Sequence, residues 1–352
     1  MPAMKQSPRA GREGDVLAVV GQSGPSVSFF DAADDRYLGS LHTLAEPHEL
    51  CFDPVQRLLW CTMTYHSGYY HANSGPRTEL TVIDPDARRI VEVVDLAPEH
   101  APHGLALDPV RGRLYVTVEG GPDRPGGVVV IDTRTRRPVD RIGTDAPGSH
   151  WVAVDAAGQT GCVANKEAPF VSLLDLERGT LTAKVALPGS EGLAVSADGT
   201  RAYVAAPYRG SFAADDGPAP TIEVVDTRTA SVVDTLPTRD SVLPVHLTST
   251  GRLLAGEVCV DRDADGRAGG MAPGRLAVFS ADTHKRLGEI EVGLVPLTIS
   301  SSPDGRIAYV ACYASSTVDI VDLETPRRLA RLDLAALGES GAHGLAYIPR
   351  PA

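Results

Sequence analysis

SSPDGRIAYVACYASSTVDIVDLET, residues 301–325, decides the fold. A polar turn carrying Asp304 and Gly305 leads into an apolar run at 307–312. A loop follows, and a β-branched run at 318–321 ends at Asp322 before another polar turn. Short runs rich in Val, Ile and Tyr, bounded by Asp-Gly and Ser-Pro signals, read as strands. Working outward, the same order recurs. RLYVTV (113–118) and RAYVAA (201–206) repeat the first run, and VVVIDT (128–133), VSLLDL (171–176) and IEVVDT (222–227) repeat the second. Each unit opens with another short apolar run, such as HGLALDP (103–109) or EGLAVSA (191–197), and closes with a fourth, such as RPVDRI (137–142) or SVVDTL (231–236). No long segment has a helical period.

Four short strands in a unit of 40–55 residues describe a propeller blade. Unit starts fall at 48, 103, 150, 191, 246, 297 and 343. The last supplies one strand, HGLAYIP (343–349), while DVLAVVG (15–21), SVSFFD (26–31) and RYLGSL (36–41) lack a first strand. Joining them closes a ring of seven blades without an open sheet edge. The expectation is an all-β, seven-bladed β-propeller of four-stranded antiparallel blades, with the C-terminal strand completing the N-terminal blade. Residues 1–13 are expected to be a disordered tail and 14–352 one propeller domain.

Composition narrows the partners. The chain has 352 residues, is 43% hydrophobic and 22% charged, and carries a formal charge of −12. These are the proportions of an ordinary globular protein. The acidic balance argues against nucleic acid or an anionic membrane as partner, because both need a basic footprint. No run is long enough to span a membrane, and the polar N-terminus has no signal-peptide core. The five cysteines have no CxxC spacing, and Cys61, Cys162, Cys259 and Cys312 fall in or beside apolar strand segments. Buried free thiols in a reducing cytoplasm are the simplest account. A small molecule is the expected partner; the oligomeric state is left open.

The segments 112–119, 196–206 and 301–325 resemble the YVTN-type (YncE-like) β-propeller repeat family, and the resemblance covers nearly the whole chain. It implies the propeller fold and says little about activity, since the family spans binding proteins, surface proteins and enzymes. PHG-like, SH-like and EG-like blade starts are similar to those family members often carry, which His48, His103, His150 and Glu191 match. His246 and His343 depart from the pattern, both towards histidine.

Chemistry enters through those blade starts. His48, His103, His150, His246 and His343 stand before or within the first apolar run of five units, out of ten histidines in the chain. Glu191 and Leu297 hold the place in the other two. In a propeller this position recurs around the axis, so the imidazoles converge. Convergent imidazoles are a transition-metal set, copper or iron favoured and zinc allowed. His246 doubles as a candidate acid/base, Glu191 as a carboxylate that orients a ligand or moves a proton, and Glu119, ending YVTVE, as a general base. The competing reading is polar channel lining. The turn after His246 is shorter than its counterparts, which leaves its register open.

Three long loops, 63–77, 207–220 and 258–274, are expected to rise around the channel mouth. Tyr65, His66, Tyr69, Tyr70 and His71 in the first, Tyr208 and Arg209 in the second, and Tyr313 and Lys166 elsewhere are substrate-binding candidates. DRDADG (261–266) has calcium-loop spacing at Asp261, Asp263 and Asp265, but the twelfth position is Ala272, which excludes an EF-hand and favours an exposed acidic turn. Nucleophile-elbow, Walker and dinucleotide motifs are absent. The reading is a metal-dependent oxidoreductase or oxygenase acting on a small organic molecule. A metal-assisted or acid/base lyase or lactone hydrolase is the alternative, and a non-catalytic binding propeller the third.

Overall fold

A computed structural model describes residues 13–351 apart from 71, 122–123, 209–217, 264 and 266–267. The expected tail falls outside them except for Glu13, as do His71 and Arg209. The described residues build seven four-stranded antiparallel sheets and two small two-stranded hairpins. One 3-10 turn, Ala335–Leu337, is the only helical element among them, and none of the described helices could cross a membrane.

The first blade joins Val16–Gly21, Ser26–Asp31 and Tyr37–His42 to Ala342–Ile348, which pairs antiparallel with Val16–Gly21 and forms the inner edge. The innermost strands of the second to seventh blades are Pro47–Asp53, His100–Asp108, Ser149–Val154, Leu193–Val195, Ser241–Leu247 and Pro296–Ser301. Each packs beside the next, and the last beside Ala342–Ile348, so the ring closes. The expected architecture and its closure are what the structure has.

Blades adhere through apolar faces. Trp60, Leu80 and Val82 of the second blade pack with Leu114, Val116 and Val118 of the third, all buried. Full burial of such a side chain contributes about 1.5–3 kcal/mol. Period-2 alternation in the middle strands serves both neighbouring blades, which is why these runs read as almost continuously hydrophobic. The outer strands, such as Ser231–Pro237, alternate or turn exposed.

The inner strands approach one another closely where glycine follows the ring residue. A Cβ on Gly104 would lie 2.7 Å from the His150 carbonyl oxygen, and one on Gly344 would lie 2.4 Å from that of His48. These contacts fix which residues are equivalent around the axis. Gly192 meets Leu243 and Pro244 in the same manner, so Leu243 is the sixth blade's counterpart of Glu191.

Cross-strand pairing agrees. Ala106 opposes Tyr115, Ala153 opposes Cys162, Ala194 opposes Tyr203, and Ser300 opposes Tyr309. His246 opposes Leu254 in the same place. His246 is therefore not a ring residue. It stands one level further along the channel, where other blades carry Ala, Ser or Cys.

Candidate metal centre

Five of the seven equivalent positions form a continuous polar arc, His343, His48, His103, His150 and Glu191. Leu243 and Leu297 complete the circle. The structure brings four of the five histidines predicted from the repeats into one contiguous stack. Ring centroids are 4.1 Å apart for His343 and His48, 4.0 Å for His48 and His103, and 3.4 Å for His103 and His150. All four are buried.

Glu49, which sequence reasoning passed over, joins them. His343 Nδ1 lies 3.1 Å and His48 Nδ1 3.8 Å from its Oε1. The two imidazoles approach each other at 3.2 Å, Nδ1 to Nδ1. His48, Glu49 and His343 each place one potential ligand atom within 4.8 Å of the others, the one such grouping among the described residues. Glu49 occupies the place held by glycine in HG (103–104), EG (191–192) and HG (343–344). That departure was the available signal. Thr298 holds the same place in the seventh blade and donates its hydroxyl to Glu49 Oε1 at 3.4 Å. Gly344 lies between them, and its missing side chain lets them meet.

Burial sets the electrostatics. Desolvation, then repulsion from neighbouring imidazoles and the Lys166 ammonium, pushes His48 and His103 well below the usual imidazole range. His150 is pushed down by burial and then by Lys166. Three imidazoles are thus held neutral, the form that binds metal. His103 Nδ1, both ring nitrogens of His150 and Oε2 of Glu191 are buried without a hydrogen-bond partner. An unsatisfied buried group costs about 1–3 kcal/mol, so four together fit residues meant to share a cation.

The ring is covered, not open at a mouth as the repeat pattern suggested. Lys166 Nζ lies 3.3 Å from Glu191 Oε1, and 4.3 and 5.2 Å from the ring centres of Tyr70 and Tyr208. Burial raises Glu191 above the usual carboxylate range, opposed by Lys166. Tyr70 stands edge-on to His150 at 6.2 Å and donates its hydroxyl to Glu167. It reaches there from a small hairpin, Gly68–Tyr69 with Ala72–Asn73, within the first long loop.

Tyr65 donates to Glu119 Oε1 at 2.7 Å. Burial pushes the Glu119 carboxyl up to about 7, against the Tyr65 hydrogen bond and Lys166, which pull it down. Tyr313 lies 6.5 Å from His343 with its hydroxyl 3.1 Å from Ser23 Oγ.

Other candidates sit apart. His66 is exposed and beside Arg77, and Tyr69 is 66% exposed. The third long loop forms its own hairpin, Val260–Arg262 with Ala268–Met271. Asp265 N donates to Asp263 Oδ1 there, as in an acidic turn, and Asp261, Asp263 and Asp265 form no close ligand group among the described residues. Cys51, Cys61, Cys162, Cys259 and Cys312 are all free, and burial pushes every thiol up.

Along the axis from the ring lies a cavity of about 340 Å³, lined chiefly by apolar residues such as Leu105, Trp151 and Leu345. Glu49, Thr298 and His246 also line it. His246 Nε2 lies 2.9 Å from Ser301 Oγ, and burial pushes its imidazole down to about 4.

Fold and site together define a seven-bladed β-propeller with a buried imidazole–carboxylate arc at its axis. No protein-family model matches the chain. Rv1057, a seven-bladed β-propeller protein of Mycobacterium tuberculosis, is 26% identical over 300 residues, 85% of this chain and 66% of that protein. The uncharacterised YncE of Salmonella typhi is 24% identical over 189 residues, 53% of this chain. The match spans about half the length of YncE, 49%.

Hydrazine synthase of Kuenenia stuttgartiensis has a similar fold, with a TM-score of 0.71 at 17% identity over 91% of this chain and 97% of that one. A functionally unknown protein from Desulfotomaculum acetoxidans gives 0.70 at 11%, covering 96% and 99%. The chain is thus similar to the YncE-like seven-bladed propellers in sequence and has their fold.

Proposed function

We propose that this propeller is a metal-dependent enzyme acting on a small organic molecule, with redox or oxygenase chemistry at the axial arc. One observation carries the reading: two imidazoles and a carboxylate, His48, His343 and Glu49, converge within 4.8 Å. Two histidines and one carboxylate are the donor set of non-haem iron oxygenases, and imidazole-rich surroundings also suit copper, with zinc allowed.

When bound, the metal supplies a Lewis acid and a redox centre. The chain's own residues do the rest. His103 and His150 extend the donor set. Glu191, oriented by Lys166, is the carboxylate that orients a ligand or moves a proton. Glu119, held near neutrality by burial, is a second acid/base within the cover. Tyr65, Tyr70, Tyr208 and Lys166 exclude water above the arc and present aromatic faces and one cation to the substrate. His246 is an acid/base candidate only for a substrate reaching down the cavity.

The proposal includes a small-molecule partner and a reducing cytoplasmic setting, which the five free cysteines support. A lyase or hydrolase is the second reading, favoured by the carboxyl of Glu119 lying near 7 beside a tyrosine.

The test is elemental analysis of untagged protein prepared without chelator, together with His48→Ala and His343→Ala. Expected is stoichiometric iron or copper in the wild type and its loss in both variants with unchanged far-ultraviolet circular dichroism. Protein that takes up no iron, copper or zinc even after reconstitution would refute a metal enzyme.

A further inference from the structure

We propose that the axial arc holds two metal ions, one on His48, Glu49 and His343 and one on His103, His150 and Glu191. The inference rests on the metal reading above and deepens it. With Glu49 added, the arc divides into two sets of identical composition, each of two imidazoles and one carboxylate.

In the second set the His103 and His150 rings lie 3.4 Å apart, centre to centre, and His150 Nδ1 is 3.7 Å from Glu191 Oε1. The sets differ in two respects. Only the first brings one ligand atom from each residue within 4.8 Å of the others, and they differ in how their polar atoms are partnered. In the first, the facing Nδ1 atoms of His48 and His343 already have partners, in each other, Glu49 and the His48 carbonyl oxygen. In the second, His103 Nδ1, His150 Nδ1 and Nε2, and Glu191 Oε2 have none, although His103 and His150 are only 2% and 3% exposed.

Buried acceptors are normally satisfied by protein or water. Four orphans on three adjoining residues call for a shared cation. Lys166 does not meet that need. Its ammonium sits 3.3 Å from Oε1 of Glu191, leaving Oε2 to turn elsewhere, as an outer partner does for a metal-binding carboxylate. Glu191 was expected to orient a ligand or move a proton; in this arrangement it is itself a ligand.

The sets also adjoin. His48 of one and His103 of the other stack 4.0 Å apart, centre to centre, so ions held by the two sets would be neighbours, as in two-metal sites. Two divalent ions facing only Glu49 and Glu191 as anionic ligands, with Lys166 beside them, leave the site positive. Its substrate would then carry a carboxylate or other oxyanion able to span both ions.

The experiment offers metal-free full-length protein Fe(II), Mn(II), Cu(II) or Zn(II) singly and counts bound metal by plasma mass spectrometry after gel filtration. Manganese-loaded protein is also examined by electron paramagnetic resonance for spin coupling. Expected are two equivalents in the wild type, a coupled manganese signal, and one uncoupled equivalent in His150→Ala/Glu191→Gln and in His48→Ala/Glu49→Gln. Saturation at one equivalent with every ion overturns the two-ion site, and needs no variant to fold. If that single equivalent is lost in His48→Ala/Glu49→Gln and kept in His150→Ala/Glu191→Gln, the metal enzyme reading stands while this one falls. No bound metal at all overturns both.

Discussion

Replacing His246 with Gln should flatten the acid side of the stability profile. The His246 imidazole is pushed from 6.5 down to about 4 by burial inside the channel wall. Its folded value lies below its unfolded value, so between about pH 6.5 and pH 4 the unfolded chain binds the proton and the folded chain does not. Stability therefore falls as pH falls through that window, by about 1.4 kcal/mol per pH unit for one such group. From pH 7 to pH 5 the loss due to His246 is about 2 kcal/mol, accrued below 6.5.

Glutamine does not titrate, and its amide can still reach Ser301, the partner of His246 Nε2 at 2.9 Å. Urea unfolding of wild type and His246→Gln at pH 7 and pH 5 isolates the term, because the depressed ring histidines and the carboxylates contribute equally to both. Expected is a wild-type loss between the two pH values larger than the variant's by about 2 kcal/mol. Parallel profiles, within about 0.5 kcal/mol, would show that His246 is protonated or solvated in the folded protein and would refute its burial as a neutral group.

Gly344→Ala should be severe for so small a change. The added methyl would lie 2.4 Å from the His48 carbonyl oxygen and 2.8 Å from the Glu49 Cα, backbone that cannot move without opening the arc. A loss of about 1–3 kcal/mol is expected, read as a lowered thermal midpoint together with weakened metal binding; an unchanged midpoint would contradict the close approach. Glu119 should titrate near 7 in a carbon-13 spectrum of glutamate-labelled protein. Tyr65→Phe should move that midpoint upward, because the Tyr65 hydrogen bond pulls it down; a shift downward would mean the bond is not made.

Much of this was legible in the residues, for identifiable reasons. The blades could be read because each strand repeats an apolar run with an Asp-bearing turn, and pairing in a propeller is between sequence neighbours. His48, His103, His150, Glu191 and His343 could be aligned because Gly-Leu-Ala or a similar run follows most of them. His246 misled because PVHL (244–247) imitates such a start. The sixth blade's ring position is Leu243, an ordinary hydrophobe, and only strand pairing shows that His246 belongs with Ala106 and Ala194.

Glu49 was hidden for the opposite reason, since it sits where the pattern holds glycine. The cover was not legible at all. Tyr70 crosses from the second blade to Glu167 of the fourth, 97 residues away in the chain, and no periodicity governs the path of a loop.

The strand Ala342–Ile348 both completes the first blade and carries His343. The two ends of the described chain thus meet beside the arc, and Ser26 and Glu339, 313 residues apart, are hydrogen-bonded in the same seam. During synthesis, His48 waits for a partner that lies 295 residues further along the chain. Contacts of such long sequence separation form late in folding. The arc therefore comes together late in folding, and a partly folded molecule whose ring is not yet closed lacks His343 beside His48. Metal captured at His343 would in turn hold the ring shut, so that one bond network records whether the whole circle has been finished.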